Sequence, residues 1–117
     1  MNLGVNFLNE ETINEILKFR DERDWKQYHN PKDLAISINI EAAELLENFQ
    51  WSTWQEVIEK KKDHVAEELA DVLIYCVHMA DTLDLDIEEI VKMKLKKNAE
   101  KYPVEKSYGK KDKYTEL

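Results

Sequence analysis

Apolar residues recur at helical spacing along most of the chain and never settle into a sustained alternation, so helices are expected throughout. From about Asn9 to Tyr28, Ile13, Ile16, Leu17 and Phe19 mark one apolar face, followed by a charged stretch. His29-Asn30-Pro31 then punctuates the chain: Asn30 can cap, Pro31 suits the first helical position, and Asp33 adds charge to the first turn. A second helix is predicted from there to about Phe49. Thr53 with Glu56 three residues on forms a further capping pattern. A long third helix is expected over roughly Lys62 to Leu83. Asp86 caps a fourth, with Glu89 at the capping-box position, ending near Tyr102 before Pro103. The segment Lys106 to Leu117 reads as a loose polar tail. The expected fold is an all-α bundle of four to five helices in a single domain over residues 1–117.

On a wheel at about 100° per residue, the second helix is apolar almost all round. Leu34, Ala42, Leu45, Leu46 and Phe49 lie on the side of Ile38, and Ile36, Ile40 and Ala43 lie opposite. Glu47 interrupts the apolar back. Ser37, Glu41, Glu44 and Asn48 form the main polar stripe, within about 60° of each other. The third helix repeats the pattern: Val65, Ala66, Leu69, Ala70, Val72, Leu73, Cys76, Val77 and Ala80 cover most of its circumference. Its polar groups His64, Glu67, Glu68, Asp71, Tyr75 and His78 gather within about 100°. Helices of this kind are expected to be buried, so Glu41-x-x-Glu44 and Glu68-x-x-Asp71 are predicted to share an interior cleft. Residues three apart are neighbours on a helix, and each pair can aim at one spot.

Composition sharpens that picture. The chain has 117 residues, 43% of them hydrophobic and 36% charged, with a net charge of −8. That charge disfavours nucleic-acid polymers and anionic membranes as partners. A bound cation can still reverse the sign locally, so small phosphorylated substrates remain open. The only glycines, Gly4 and Gly109, stand near the ends, leaving no Gly-rich phosphate loop. The single Cys76 lies in an apolar run and reads as a core thiol in a reducing, cytoplasmic setting. Neither a leader pattern nor eighteen consecutive apolar residues occurs, so export and membrane spanning are not expected.

Two like charges about 4 Å apart repel by roughly 4 kcal/mol at an effective dielectric of 20. Four buried carboxylates would cost as much as a small domain has to spare, about 5–15 kcal/mol. Either some are protonated or a cation sits among them, and all-oxygen ligands select Mg²⁺ or Mn²⁺. A di-iron bundle would need Glu-x-x-His on two helices, but Lys26, Lys61 and Tyr75 stand three before His29, His64 and His78. Lys94, Asn98 and Lys101 recur at i, i+4 and i+7 beside Tyr102, as either a phosphate clamp or a solvated basic face. Trp25, Trp51 and Trp54 lie near helix ends, where they could serve as core, interface or a wall for a base.

Glu41-Ala-Ala-Glu44 followed by Glu68-Leu-Ala-Asp71 resembles the signature of the MazG-like all-α nucleoside triphosphate pyrophosphohydrolases. Phe19-Arg20-Asp21-Glu22-Arg23-Asp24-Trp25, Phe49-Gln50-Trp51 and the closing Lys113-Tyr114-Thr115-Glu116-Leu117 are similar to the dCTP pyrophosphatase branch of that family. The likeness runs from about residue 15 to the end. It implies Mg²⁺-dependent cleavage of a (deoxy)nucleoside triphosphate, dCTP or a related or modified nucleotide, to monophosphate and pyrophosphate. It implies that Glu41, Glu44, Glu68 and Asp71 hold metal and that Trp25, His29, Trp51 and Tyr75 line the nucleoside. Lys94 and Asn98 would meet the triphosphate, with Lys101 and Tyr102 beside them, and Lys94 would offset charge on the leaving group. The family's assembly implies a homodimer or dimer of dimers. Branch members can carry a first-helix His that touches the base; this first helix has none. The competing reading is a non-catalytic helical oligomer that binds a nucleotide or a protein partner.

Overall fold

The computed structural model describes residues 8–117, which form α1 (Glu10–Glu22), α2 (Pro31–Glu47), α3 (Trp54–Thr82), α4 (Ile87–Lys101) and the single turn α5 (Val104–Ser107). Short 3₁₀ turns stand at Lys26–Tyr28 and Tyr114–Glu116, and no strand occurs among the described residues. The all-helical class is therefore as the hydrophobic spacing predicts. Two compact units divide at Asp84: one ends there and the other is Leu85–Leu117.

The helix starts follow local chemistry. Asn9, Asn30, Thr53 and Asp86 each accept a hydrogen bond from the backbone N–H three residues on. Each of those caps satisfies a donor that the first turn leaves unpaired. Helix ends depart further from expectation. α1 stops at Glu22 rather than near Tyr28, because Asp24 takes a left-handed φ of 55° and the Trp25 amide turns back to the Arg20 carbonyl. α2 stops at Glu47, where the Asn48 side chain donates from Nδ2 back to the Glu44 and Leu45 carbonyls. α3 begins eight residues earlier than the periodicity suggests. Its first piece, seated by buried Val57, joins the long piece through non-helical backbone at Lys61.

Within the first unit α2 packs extensively on α3, and α1 touches α3 over a smaller area. His29, just before α2, lies against His78 late in α3, whereas Glu41 and Glu44 meet Glu68 ten residues earlier in α3. Moving forward on α2 thus means moving back on α3, so the pair is antiparallel. Leu34, Val57, Val77 and Ala80 form the buried apolar core. Arg20 is buried with them and donates from Nη1 to Asp81 and from Nε to Asp21, both at 2.8 Å, tying α1 to the end of α3.

Two expectations are corrected here. α2 and α3 are not covered all round: Ile36, Ile40, Leu46 and Leu69 are exposed. One chain supplies a partner for one side of each helix only, and α1 is too narrow a contact to cover the rest. Cys76 is half-buried rather than a core thiol, for the same reason.

In the second unit the expected loose tail has local order. The Tyr114 ring meets Tyr102 edge-on with centroids 5.9 Å apart, and the Lys101 ammonium lies 4.9 Å from the Tyr114 centroid. Gly109, at φ 74°, turns the chain after α5.

Leu34 is 1% exposed, and truncating it leaves a cavity that antiparallel helices cannot easily close. Leu34→Ala should cost about 2–5 kcal/mol of stability in urea unfolding at fixed protein concentration. A loss below about 0.5 kcal/mol would place Leu34 outside the core.

Candidate functional site

The polar stripes of α2 and α3 meet where the wheel projection puts them. One carboxylate oxygen from each of Glu41, Glu44 and Glu68 lies within 4.8 Å of the other two. Asp71, one turn on from Glu68, falls outside that tight group, yet its charge acts on both Glu41 and Glu68. Glu41 and Glu68 are half-buried, and Glu44 is open to solvent. The packing therefore brings three of the four acids together and leaves the fourth alongside.

The electrostatics follow from that crowding. Burial first, then a shared hydrogen bond and repulsion with Glu44, then the charges of Asp71 and Glu68, push the Glu41 carboxyl up to about 7. Glu68 is also raised, by burial first and then by Glu44 and Asp71. Each holds one buried oxygen, Oε2, with no hydrogen-bond partner. Buried acceptors normally find a donor, and here one on α2 and one on α3 go unmatched. Hard divalent cations ligated at about 2.1 Å span up to about 4.2 Å between opposite oxygens. Oxygens already within 4.8 Å need only small side-chain adjustments to reach that span. The donor set and the orphan oxygens both fit such an ion.

The remaining predicted site residues are placed as follows. His29 and Tyr75 are half-buried and both contact the His78 ring, at centroid distances of 4.6 Å and 6.0 Å. Trp25 is exposed with its edge on Phe19 at 5.9 Å, and the Arg23 guanidinium sits 3.6 Å above the Phe19 ring. Trp51 is 94% exposed and held at a left-handed φ of 65°. Bulky side chains are rare in that region, and such strain is concentrated at functional positions. Lys94, Asn98, Lys101 and Tyr102 belong to the second unit. There Lys101 and Tyr102 are engaged by Tyr114, Lys94 is exposed and Asn98 is half-buried. Arg20 and His78 are the buried polar residues of the first unit among those described; the α3 stripe already contains His78, and the burial of Arg20 is not singled out by the sequence pattern. Arg20 stands at helical spacing from Ile16 and Leu17, and His78 adjoins Val77.

The raised Glu41 gives the site a signed pH dependence. Between about 4.5 and 7 the folded, metal-free chain holds more protons on this group than the unfolded one, so its contribution to stability falls as pH rises. Glu41→Gln should therefore raise the melting temperature of the metal-free chain more at pH 8 than at pH 5. Added Mn²⁺ should stabilise the unsubstituted chain more at pH 8 as well, because binding displaces a proton. Equal shifts at both pH values would dissolve the carboxylate cluster as a coupled unit.

The sequence and fold resemble those of known proteins. The model of the MazG-like family matches residues 36–117, which include both acidic pairs. dCTP pyrophosphatase 1 from Rattus norvegicus is 37% identical over 95% of this chain and 71% of its own length. The Homo sapiens dCTP pyrophosphatase 1 is 36% identical over the same shares. A solved pyrophosphatase from Archaeoglobus fulgidus superposes with a TM-score of 0.77 at 45% identity, covering 85% of this chain and 98% of that one. With three carboxylates of the two acidic pairs gathered on α2 and α3, and relatives matched over nearly its whole length, the chain belongs to the MazG-like family.

Proposed function

We propose that this chain is a nucleoside triphosphate pyrophosphohydrolase that cleaves dCTP or a related or modified nucleotide to the monophosphate and pyrophosphate with a divalent cation, Mg²⁺ or Mn²⁺. The carrying observation is the pair of unpartnered buried oxygens on Glu41 and Glu68, set among carboxylates that repel one another. Its relatives named dCTP pyrophosphatase 1 and the pyrophosphatase of similar fold support the reaction class.

In this reading a water oxygen forms a bond to the α-phosphorus while the bond from that phosphorus to the bridging oxygen breaks, releasing pyrophosphate. Glu41 and Glu68 would hold a divalent cation through their orphan oxygens, with Asp71 adding charge beside them. When bound, the cation would neutralise the phosphate oxygens and lower the pKa of the water. Glu44, open to solvent, accepts the proton of the attacking water. His29, Tyr75, Trp25 and Trp51 line the nucleoside. Lys94 and Asn98 meet the triphosphate, Lys94 offsetting the charge on the departing pyrophosphate; these roles rest on the family resemblance. The uncovered apolar backs of α2 and α3 favour assembly as a homodimer or a dimer of dimers. None of the described helices is long and apolar enough to cross a membrane, and the reading places the enzyme in the cytoplasm.

A nucleotide panel resolved by base and by 2′-hydroxyl, incubated with Mg²⁺ and assayed for pyrophosphate, tests the reaction. Glu68→Gln should lower kcat by about 10²-fold or more with unchanged helical circular dichroism. Undiminished turnover in that variant, or no pyrophosphate from any nucleotide, would leave only a helical oligomer that binds without cleaving.

Trp51 separates stability from function. Glycine adopts its left-handed backbone at no steric cost, so Trp51→Gly should stabilise the chain by about 0.5–1 kcal/mol while raising KM for the nucleotide. Chemical denaturation and steady-state kinetics on one preparation read both, and an unchanged KM would remove Trp51 from the nucleoside wall.

A further inference from the structure

Asp71, Tyr75 and His78 stand at i, i+4 and i+7 on α3, so one stripe of the helix leads from the carboxylate cluster to a buried imidazole. His78 is 5% exposed. Its ring lies against His29 with centroids 4.6 Å apart and planes at 55°, and meets the Tyr75 ring edge-on at 6.0 Å. One turn further, Thr82 donates from its hydroxyl to the His29 carbonyl at 3.4 Å. The end of α3 thus holds the segment ahead of α2 at two points, a side-chain ring and a backbone carbonyl.

Packing alone does not account for an imidazole here. Leucine, methionine or phenylalanine would fill such a position with no polar atom to satisfy. The Nδ1 atoms of His78 and His29 are both buried without a hydrogen-bond partner, and each carries the desolvation cost of an unmade bond. The charged and titratable groups around His78 are Arg20 and Asp21 from α1, His29 ahead of α2, and Asp81 on α3 itself. Burial first, then His29 and Arg20, push the imidazole down to about 4, against a smaller pull from Asp81 and Asp21. Near neutral pH it is therefore an uncharged ring with one donor and one acceptor nitrogen.

We propose that His78 is a positioning residue for the nucleoside: its buried ring seats His29 and Tyr75 together, and so sets how tightly the nucleoside is held without touching the reacting phosphate. This rests on the reading of His29 and Tyr75 as nucleoside-lining residues. The tilted contact with His29 and the edge contact with Tyr75 carry this positioning, because an imidazole's dipole and ring edges give such contacts a preferred geometry that a hydrocarbon does not reproduce.

The test compares His78→Phe and His78→Asn in the full chain, with Mg²⁺ and dCTP as the probe, and with inorganic tripolyphosphate as a competing ligand that has no nucleoside. His78→Phe fills the volume without ring nitrogens and should raise KM about 5–20-fold, with kcat within about twofold of the unsubstituted enzyme. Asparagine has no ring to lie against His29 and Tyr75, and His78→Asn should raise KM at least as far as His78→Phe. Inhibition by tripolyphosphate should be the same in all three proteins. A KM in His78→Phe within twofold of the unsubstituted value makes His78 a core filler and overturns the proposal. So does a fall in kcat at constant KM, or an equal weakening of tripolyphosphate. Should the phenylalanine variant not fold, His78→Met carries the same comparison. An unsubstituted chain that cleaves no nucleotide defeats the parent reading and this one with it, whereas an active chain with an unmoved KM defeats this one alone.

Discussion

Bringing Glu41, Glu44 and Glu68 together on the shared seam of α2 and α3 is the constraint around which the first unit is built. Three carboxylates with oxygens inside 4.8 Å repel one another, by an amount on the order of a few kcal/mol per pair at protein-like dielectric. The antiparallel packing of the two helices must hold them there. Leu34, Val77 and Ala80 seat the far end of the pair, Val57 seats the start of α3, and Arg20 pins α1 across the end through Asp81. That crowding, with burial, pushes the Glu41 carboxyl up to about 7 and raises Glu68 as well, so the metal-free chain holds a proton on Glu41 more readily than the unfolded chain does. A cation relieves the same charge by another route, which is why metal affinity and proton affinity are linked at this site.

Several positions are less stable than a simple substitution would make them. Trp51 is a large aromatic in a backbone conformation better suited to glycine, and it is almost wholly exposed. His78 and His29 bury ring nitrogens without partners. Exposed Ile36, Ile40, Leu46 and Leu69 leave apolar surface on the very helices that carry the acids. Each feature costs a solitary chain something in steric strain, unmet hydrogen bonding or exposed apolar surface.

Much of this was legible in the order of residues. Three of the four capping side chains (Asn30, Thr53 and Asp86), the 3.6-residue spacing and the narrow acidic stripes of α2 and α3 are local patterns, settled by geometry within a few residues. They yield the helices and the face on which Glu41, Glu44 and Glu68 lie, and the family resemblance adds their chemistry. Most of what was misjudged depends on longer range. The early start of α3 is seated by buried Val57, and the half-exposure of Cys76 depends on which surfaces find partners, whereas the left-handed turn at Asp24 is a local feature that hydrophobic spacing does not encode.

Sequence alone determined that this protein is helical and which side chains each helix presents, because periodicity is a property of the helix itself. Only the tertiary structure decided which of those side chains meet. It drew Glu41, Glu44 and Glu68 into one group and left Asp71 beside it. It also buried Arg20 and set His78 against His29 and Tyr75. The physical reason is that a contact between helices is fixed by their register and crossing, and those are set by the whole packed surface of both partners and not by any one stretch of the chain.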